Sequence, residues 1–308
     1  MYSRQQPPTL DQVHGFYKEL SNWGRWGSDD QLGTLNLITP EARLRGTAAV
    51  KHGVSVSCAW DVATATDTTA RDTQVQHFPP SDLEWGGINE HVRYDCHDVA
   101  FTHLDAVSHI FWDGKLYNDR NVSETVTTEG GITFGSVDIA ANGLVTHGVL
   151  LDIPAVRGVD WLEFGEAVYP EDLEAAEKRQ GVKVESGDAV LLRTGYDRMR
   201  HETDRRLGPT SGQQGWHAAC LPWLRERDVA YIGCDTGQDS LPSGYDSIML
   251  PIHTVGQVAM GLWLIDHCDL HALAQTAERL QQWDFLLSVA PIRFEATSGS
   301  AVNPIATF

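Results

Sequence analysis

Basic residues are scarce in this 308-residue sequence. Lys and Arg total 23 and Asp and Glu total 42, which gives a formal net charge of −19 at pH 7. Nucleic acids and anionic membranes bind clustered Lys and Arg, so we expect neither as a partner. No stretch approaches the roughly 20 apolar residues that a membrane-spanning helix needs. The first ten residues lack the apolar core of a secretory signal, and we therefore expect a cytoplasmic protein.

Cysteine is also sparse. The sequence has five cysteines, an odd number, and no two of them are spaced as CxxC. This excludes a disulfide framework and a thiolate zinc site. The GxSxG turn of serine hydrolases is absent, and so are the GxGxxG and Walker loops that bind nucleotides. Nucleophilic serine chemistry and nucleotide chemistry are therefore not expected.

Two histidines and a carboxylate do lie close together, at His103, Asp105 and His109. In an extended chain alternate side chains share a face, so the three would point the same way, although Val107 breaks the alternation. Imidazole and carboxylate suit a divalent metal such as zinc or manganese, and a further histidine can act as a general acid or base. Hydrogen-bonded core histidines are the alternative, and the spacing alone leaves the two interpretations evenly matched.

Periodicity and turn residues predict strands mixed with helices in a single domain over 1–308. The predicted strands cover 54–60, 145–153, 187–195, 229–235 and 285–291. Helices are predicted to begin at Thr39–Pro40, at Pro170 and at Asp269 and to cover 216–227, and residues 252–266 are predicted to be a helix or a buried segment. Residues 63–90 form a predicted long surface loop and 200–215 a second candidate lid. The fold class is therefore α/β, with a mixed central sheet and surrounding helices.

Several segments resemble the cyclase family of metal-dependent hydrolases, which includes kynurenine formamidases, isatin hydrolases and trans-dienelactone hydrolases. The similar segments are spread over nearly the whole chain, at 26–36, 111–118 (FWDGKLYN), 187–195, 251–253 and 300–305. The resemblance, to the longer-chain subgroup, implies a swivelling β/β/α-type fold. It also implies a homodimer or homotetramer in which residues 1–45 form an aromatic N-terminal arm that takes part in oligomer contacts.

The family signature runs His-x-Gly-Thr-His-x-Asp-x-Pro-x-His, and residues 102–109 match its later part. The resemblance implies that His103 and Asp105 bind a divalent metal, zinc or manganese, and that His109 is the catalytic acid/base beside Asp105. A histidine and a glutamate from the C-terminal third complete the family's metal site, and His253 and Asp266 stand at the matching positions.

The chain departs from the signature just upstream of this stretch. Val99 stands where the first metal histidine would be, and Phe101 replaces the glycine. His97 is a candidate replacement ligand. Asp266 is one methylene shorter than the family's glutamate. These departures favour one metal over two, and they keep open a metal-free isomerase, dehydratase or small-ligand-binding protein.

The activity implied by the resemblance is hydrolysis of an amide C–N bond or a lactone in a small cyclic or aromatic carbonyl compound, by a metal-activated water. Candidate substrate-binding residues are Phe111, Trp112, Trp85 and Phe101, with core packing as the alternative for the first two.

Two further polar residues have open interpretations. Asp235 ends a predicted strand, so it is either catalytic or a turn cap, and we weigh the two equally. His217 opens a predicted helix and is expected to face solvent.

Overall fold

The structure is a computed structural model, and it describes residues 2–62, 84–208 and 210–308 together with the backbone of Gln74–Phe78. Its strands in chain order are β1 (Ser55–Ser57), β2 (Gln74–Phe78), β3 (Asn89–Arg93), β4 (His103–Asp105), β5 (Lys115–Leu116), β6 (Arg120–Asn121), β7 (Val126–Thr127), β8 (Gly131–Ile132), β9 (Leu144–Asp152), β10 (Ala167–Val168), β11 (Ala189–Arg193), β12 (Gly215–Trp216), β13 (Tyr231–Cys234), β14 (Trp263–Asp266), β15 (Asp284–Val289), β16 (Gly299–Ala301) and β17 (Ile305–Thr307).

The helices separate and flank these strands. The α-helices are α1 (Leu10–Glu19), α2 (Pro40–Ala48), α3 (Val122–Thr125), α4 (Ile153–Arg157), α5 (Pro170–Gln180), α6 (Tyr196–Glu202), α7 (Leu221–Glu226), α8 (Pro251–His253) and α9 (His271–Leu280). Short 3₁₀ helices cover Gly33–Leu37, Tyr117–Asp119, Val137–Ala140 and Ala218–Cys220, and a π-helix runs over Thr254–Met260.

Nine strands form one mixed sheet in the order β1-β17-β15-β9-β11-β13-β14-β4-β16. The four central strands β9, β11, β13 and β14 are parallel, and the strands on either side of them are antiparallel. The predicted α/β class with a mixed central sheet and surrounding helices is confirmed. The predicted buried strands at 145–153, 187–195 and 229–235 are its parallel centre.

The two faces of the sheet belong to two hydrophobic cores, because successive side chains of a strand point to opposite faces. Leu191 lies in one core with Leu104 and Ile265, and its helical cover includes α9. Val190 and Leu192 lie in the other core, which α1, α5, α7 and the π-helix cover. Full burial of a side chain of this kind contributes roughly 1.5–3 kcal/mol to the stability of the fold.

Local signals located several elements correctly. The Thr39 side chain accepts a hydrogen bond from the Ala42 N–H, and Pro40 occupies the first turn of α2, as predicted.

The loop prediction for 63–90 is wrong for Gln74–Phe78, which pairs with Asn89–Arg93 as an antiparallel hairpin. The rest of that loop at 63–73 and 79–83 lies outside the described residues.

The predicted helix over 216–227 begins later than expected. Trp216 ends strand β12, and His217 precedes the 3₁₀ turn that leads into α7. The prediction that His217 faces solvent is wrong, since its side chain is 7% exposed and stacks on the Tyr169 ring at 4.4 Å. Its Nδ1 accepts a hydrogen bond from the Ala219 N–H, so the imidazole caps the turn from inside the protein.

The aromatic N-terminal segment packs on its own chain. The Trp23 indole N–H donates to the Val258 carbonyl, and the Asn22 N–H donates to the Ala259 carbonyl, so both residues are fixed to the π-helix. Trp26 packs against the core that contains Leu104 and Leu191. Participation of residues 1–45 in oligomer contacts stays a prediction.

Within the described residues, no helix has the length and apolar character needed to cross a membrane.

An ion-pair network joins His147 on β9 to two aspartates. Its imidazole lies 3.0 Å from the Asp188 carboxylate and 3.3 Å from the Asp284 carboxylate, and Arg45 also pairs with Asp188. Burial lowers the pKa of His147, but the two carboxylates outweigh it and raise the pKa to about 9. A raised histidine pKa stabilises the fold fully below the ordinary value near 6.5, and the stabilisation is lost as the pH rises through about 9.

We therefore expect His147→Gln to remove part of the pH dependence of stability. The free energy of unfolding of the native chain relative to this variant should fall by about 2 kcal/mol between pH 6 and pH 9.5. Urea unfolding of both proteins at the two pH values measures this difference, in which other titrating groups cancel. Equal pH dependence in the two proteins would contradict the assignment.

Candidate metal centre

The site begins where two strands meet in antiparallel register. His103 of β4 is the direct partner of Asp266 of β14, and Asp105 is the partner of Leu264. Because alternate residues share a face, His103, Asp105 and Asp266 all point to the side of the sheet that the π-helix covers, while Leu104 and Ile265 enter the opposite core. The register thus joins residues that are more than 160 positions apart in sequence.

Asp105 is the centre of the cluster and is fully buried. Its Oδ1 accepts a hydrogen bond from His97 Nδ1 at 2.7 Å and lies 3.7 Å from His103 Nε2. Its Oδ2 lies 3.7 Å from His109 Nε2 and 3.6 Å from His253 Nε2. Four imidazoles therefore surround one carboxylate.

His109 reaches the cluster through a turn and not through strand alternation. Strand β4 ends at Asp105, and the His109 N–H then donates to the Ala106 carbonyl. The next residue is fixed from the other side, because the Ile110 N–H donates to Gln257 Oε1 on the π-helix. The shared direction expected for residues 103, 105 and 109 is therefore right in outcome and wrong in its cause.

His253 enters from the start of the π-helix and is held by a second carboxylate. Its Nδ1 donates to Asp239 Oδ2 at 2.6 Å, and Asp239 also accepts the Ile252 and His253 backbone N–H groups. This arrangement aims Nε2 at Asp105 and at Asp266 Oδ2, which lies 3.4 Å away. A carboxylate that orients the outer nitrogen is a common feature of metal-binding histidines.

The other two imidazoles are oriented by backbone and hydroxyl groups. His103 Nδ1 donates to the Phe101 carbonyl, which turns Nε2 toward the cluster. His97 Nε2 accepts from Ser298 Oγ, so both ring nitrogens of His97 have partners. His97 stacks on His109 with ring centroids 3.6 Å apart. A Cβ at Gly299, the partner of Asp105 on β16, would lie 2.6 Å from the His97 ring, so glycine leaves room for this imidazole.

Burial and charge perturb the pKa values of these groups in opposite directions. Burial raises the pKa of Asp105, but the surrounding imidazoles, His109 foremost, bring it well below its ordinary value. Burial lowers the pKa of His109 to about 4. Burial also lowers the pKa of His253, yet Asp266, Asp105 and Asp239 outweigh it and raise that pKa well above its ordinary value. The charge of each group in the cluster thus depends on its interactions with the few other buried charges around it.

The donor set fits a divalent cation. Asp105 Oδ2 accepts no hydrogen bond from the described residues although it is buried, and unpaired buried carboxylate oxygens are costly. Two groups of three residues have ligand atoms that all lie within 4.8 Å of one another. One group is His97, Asp105 and His109, and the other is His103, Asp105 and Asp266. Ligands about 2.1 Å from one zinc ion are themselves roughly 3–4 Å apart, which matches these separations.

The six residues predicted as metal ligands or acid/base therefore lie together, and their individual roles stay predictions. Sequence reasoning missed Asp239, which orients His253, and Gln238, whose Nε2 donates to Asp266 Oδ1 at 2.9 Å. The available signal was the run of polar residues that follows strand β13. Asp235, in the same run, accepts hydrogen bonds from the Thr194 hydroxyl and from backbone N–H groups. These contacts favour the turn-cap interpretation of Asp235.

The four candidate substrate-binding residues have different environments. Phe101 is buried, with its ring 6.0 Å from that of His103. Trp112 stacks on Tyr17 of α1 at 5.1 Å, which is core packing. Phe111 is 55% and Trp85 is 84% exposed. Substrate binding by these residues stays a prediction.

The model of the Cyclase family matches residues 47–238, which is more than half of the chain. The chain belongs to the cyclase family. The match includes His97, His103, Asp105 and His109, whereas Asp239, His253 and Asp266 follow it. No curated protein matches the chain in sequence.

Solved structures of other cyclase-family proteins share the fold. A crystal structure of a novel cyclase has a TM-score of 0.84 at 23% identity, covering 95% of this chain and 99% of that one. An isatin hydrolase bound to the product analogue thioisatinate gives 0.59 at 15% identity, with 87% and 98% covered. A predicted metal-dependent hydrolase from Bacillus stearothermophilus gives 0.52 at 14% identity, with 82% and 97% covered.

The carboxylate behind His253 supplies a test of the metal centre. We expect Asp239→Asn to weaken zinc binding at least tenfold, because the amide no longer carries the charge that orients His253 and raises its basicity. Competition titration against a chromogenic chelator measures the affinity. Asp160→Asn, at a surface ion pair with Arg198, is the matched control and should bind zinc as the native chain does. Equal affinity in both variants would show that Asp239 has no part in metal binding.

Proposed function

We propose that this cyclase-family chain is a metal-dependent hydrolase that cleaves an amide C–N bond or a lactone in a small cyclic or aromatic carbonyl compound. The observation that carries the proposal is the buried Asp105 carboxylate, which has an unpaired oxygen and four imidazoles around it. Such a donor set suits zinc or manganese. An isatin hydrolase and a predicted metal-dependent hydrolase among the structural neighbours support the same class.

His103, Asp105, Asp266 and His253 are the residues that would hold the metal. Their side chains are at most 7% exposed, and each is fixed by a partner in the strand register or in the Asp239 and Gln238 hydrogen bonds. A divalent metal bound there polarises a carbonyl oxygen and lowers the pKa of water. His97 contacts Asp105 through one nitrogen and Ser298 through the other, so its interactions in the structure hold the carboxylate in place.

His109 is the residue placed to move protons. Its side chain is 22% exposed, more than that of His103 or His253, so Nε2 can meet a substrate while it remains beside Asp105. In hydrolysis it accepts a proton from the attacking water and returns it to the leaving nitrogen or oxygen. Asp105 stabilises the protonated imidazole by charge, and the stacked His97 ring fixes its plane.

The proposal predicts different consequences for two histidine substitutions. His103→Ala should lower the bound metal per chain and abolish turnover, because a ligand is lost. His109→Gln should keep the metal and lower kcat about 10²–10⁴-fold, because the proton acceptor is lost. His52→Gln, at an exposed histidine remote from β4, is the control and should change neither quantity.

The measurement is elemental analysis combined with hydrolysis of N-formyl anilines, isatins and lactones. Absence of stoichiometric metal, with turnover that survives chelation, would contradict metal-dependent hydrolysis. Absence of both metal and hydrolysis would favour the metal-free isomerase, dehydratase or ligand-binding protein. Loss of metal from His109→Gln would make His109 a ligand and refute its proton-transfer role.

A further inference from the structure

A cavity of about 990 Å³ is lined by Val99, two residues from His97, and by Gln213, whose side chain donates to the Asp239 carbonyl. Its walls come from two loops, one around Leu207 and Gln213 and one from Leu241 to Met249, together with Val99. The first of these loops is part of the predicted lid at 200–215. The volume is within the range of about 300–1,000 Å³ that small-molecule sites have in proteins.

The cavity is connected to the metal centre through short links. In sequence Val99 lies between His97 and Phe101, and the Phe101 carbonyl accepts a hydrogen bond from His103. Gln213 donates its Nε2 to the Asp239 carbonyl at 2.7 Å, and the Asp239 carboxylate holds His253. A Cβ at Gly237 would lie 3.3 Å from Gln213 Oε1 and 3.4 Å from Asp266 Oδ2. Gly237 therefore packs between Gln213 of the cavity wall and the Asp266 carboxylate, which places the wall within a few ångströms of that carboxylate.

The wall of the cavity is largely apolar, with polar groups from Thr210, Gln213, Ser243 and Tyr245, and the described lining residues carry no positive charge. Val99 is 48% and Met249 is 69% exposed, although such side chains are usually covered, and Leu207 and Leu241 extend the same surface. Among the described lining residues there is no Lys, Arg or His, and Asp246 contributes a negative charge. This lining attracts an uncharged apolar group and repels a carboxylate.

We propose that this cavity binds the apolar part of the substrate, so that the enzyme selects uncharged carbonyl compounds that bear a bulky alkyl or aryl group. This inference rests on the proposed hydrolase function for the identity of the reacting bond. It assigns substrate recognition to Val99, Leu207 and Met249, and not to the aromatic residues singled out in the sequence. The position that holds an imidazole in the family signature here supplies a valine to the binding wall.

Binding of ketones tests the cavity without hydrolysis. Isothermal titration calorimetry of the purified chain should give an affinity for 4-butylacetophenone about tenfold above that for acetophenone, because the butyl group becomes buried. The affinity for 4-acetylbenzoate should be lower than for acetophenone, because its carboxylate meets an apolar wall and Asp246. A ketone cannot be hydrolysed, so this result is independent of turnover.

Two substitutions with matched controls locate the binding site. Val99→Trp should fill the cavity. The ratio of the affinity for 4-butylacetophenone to that for acetophenone should then fall at least fivefold. Val159→Trp replaces a valine of equal exposure, 48%, elsewhere on the surface and should leave that difference intact. Met249→Lys should reverse the preference in favour of 4-acetylbenzoate, while Leu44→Lys, at a leucine 68% exposed, should not.

The outcomes separate this inference from the proposed function. Equal affinity for the butylated and unsubstituted ketones, or equal effects of each variant and its control, would overturn the cavity as a substrate site even if hydrolysis is observed. The expected ketone preferences in a chain that hydrolyses no amide or lactone would support the cavity and refute the hydrolase proposal. A Val99→Trp chain that fails to fold leaves the Met249→Lys reversal as the deciding result.

Discussion

Burial of the Asp105 carboxylate is the constraint on which the rest of the site depends. A charge removed from water is costly unless opposite charges or hydrogen bonds compensate it. His97 satisfies one of its oxygens by a hydrogen bond, and the other oxygen faces His109 and His253 without one. The imidazoles of His97, His103 and His253 each have a second hydrogen-bond partner, and His109 stacks on His97, so the whole cluster is built outward from this one carboxylate.

The sheet provides the rigid base for that arrangement. Antiparallel pairing of β4 with β14 places Asp266 opposite His103, and pairing with β16 places Gly299 opposite Asp105. A shift of either register by one residue would turn His103 and Asp105 into the opposite core and bring Leu104 to the site. The apolar partners Leu104 and Ile265 therefore fix the face of the candidate metal centre as well as the core.

The sequence predicted the parts of this structure whose signals are local. Alternation and apolar runs located the parallel strands, the Thr39–Pro40 pair located the start of α2, and residue type and spacing identified His103 and Asp105. Non-local contacts left no comparable signal. The partnership of Asp239 with His253 spans 14 residues and depends on how the chain leaves β13. The hairpin of β2 and β3 was missed because polar residues in it hide strand alternation.

Resemblance to the cyclase family supplied His253 and Asp266, which residue spacing could not connect with His103. It also showed that Val99 stands where the signature has a metal-binding histidine. It gave no indication of what the valine itself contacts. In the structure Val99 is part of an apolar wall built by loops near 207–213 and 241–249, which have no periodicity from which sequence reasoning could place them.

In the proposed function, reactivity and substrate selection are coupled because the same short segments serve both. The segment from His97 to Phe101 contributes an imidazole, a cavity side chain and the carbonyl that orients His103. The segment from Gly237 to Leu241 likewise joins the Asp239 carboxylate to the cavity wall, and Gln213 pairs with it through backbone and side chain. Displacement of either segment therefore changes the cavity and the orientation of a histidine proposed to bind the metal together. Selection of a different substrate is consequently easier by exchange of a side chain that only lines the wall, such as Met249, than by remodelling of these two segments.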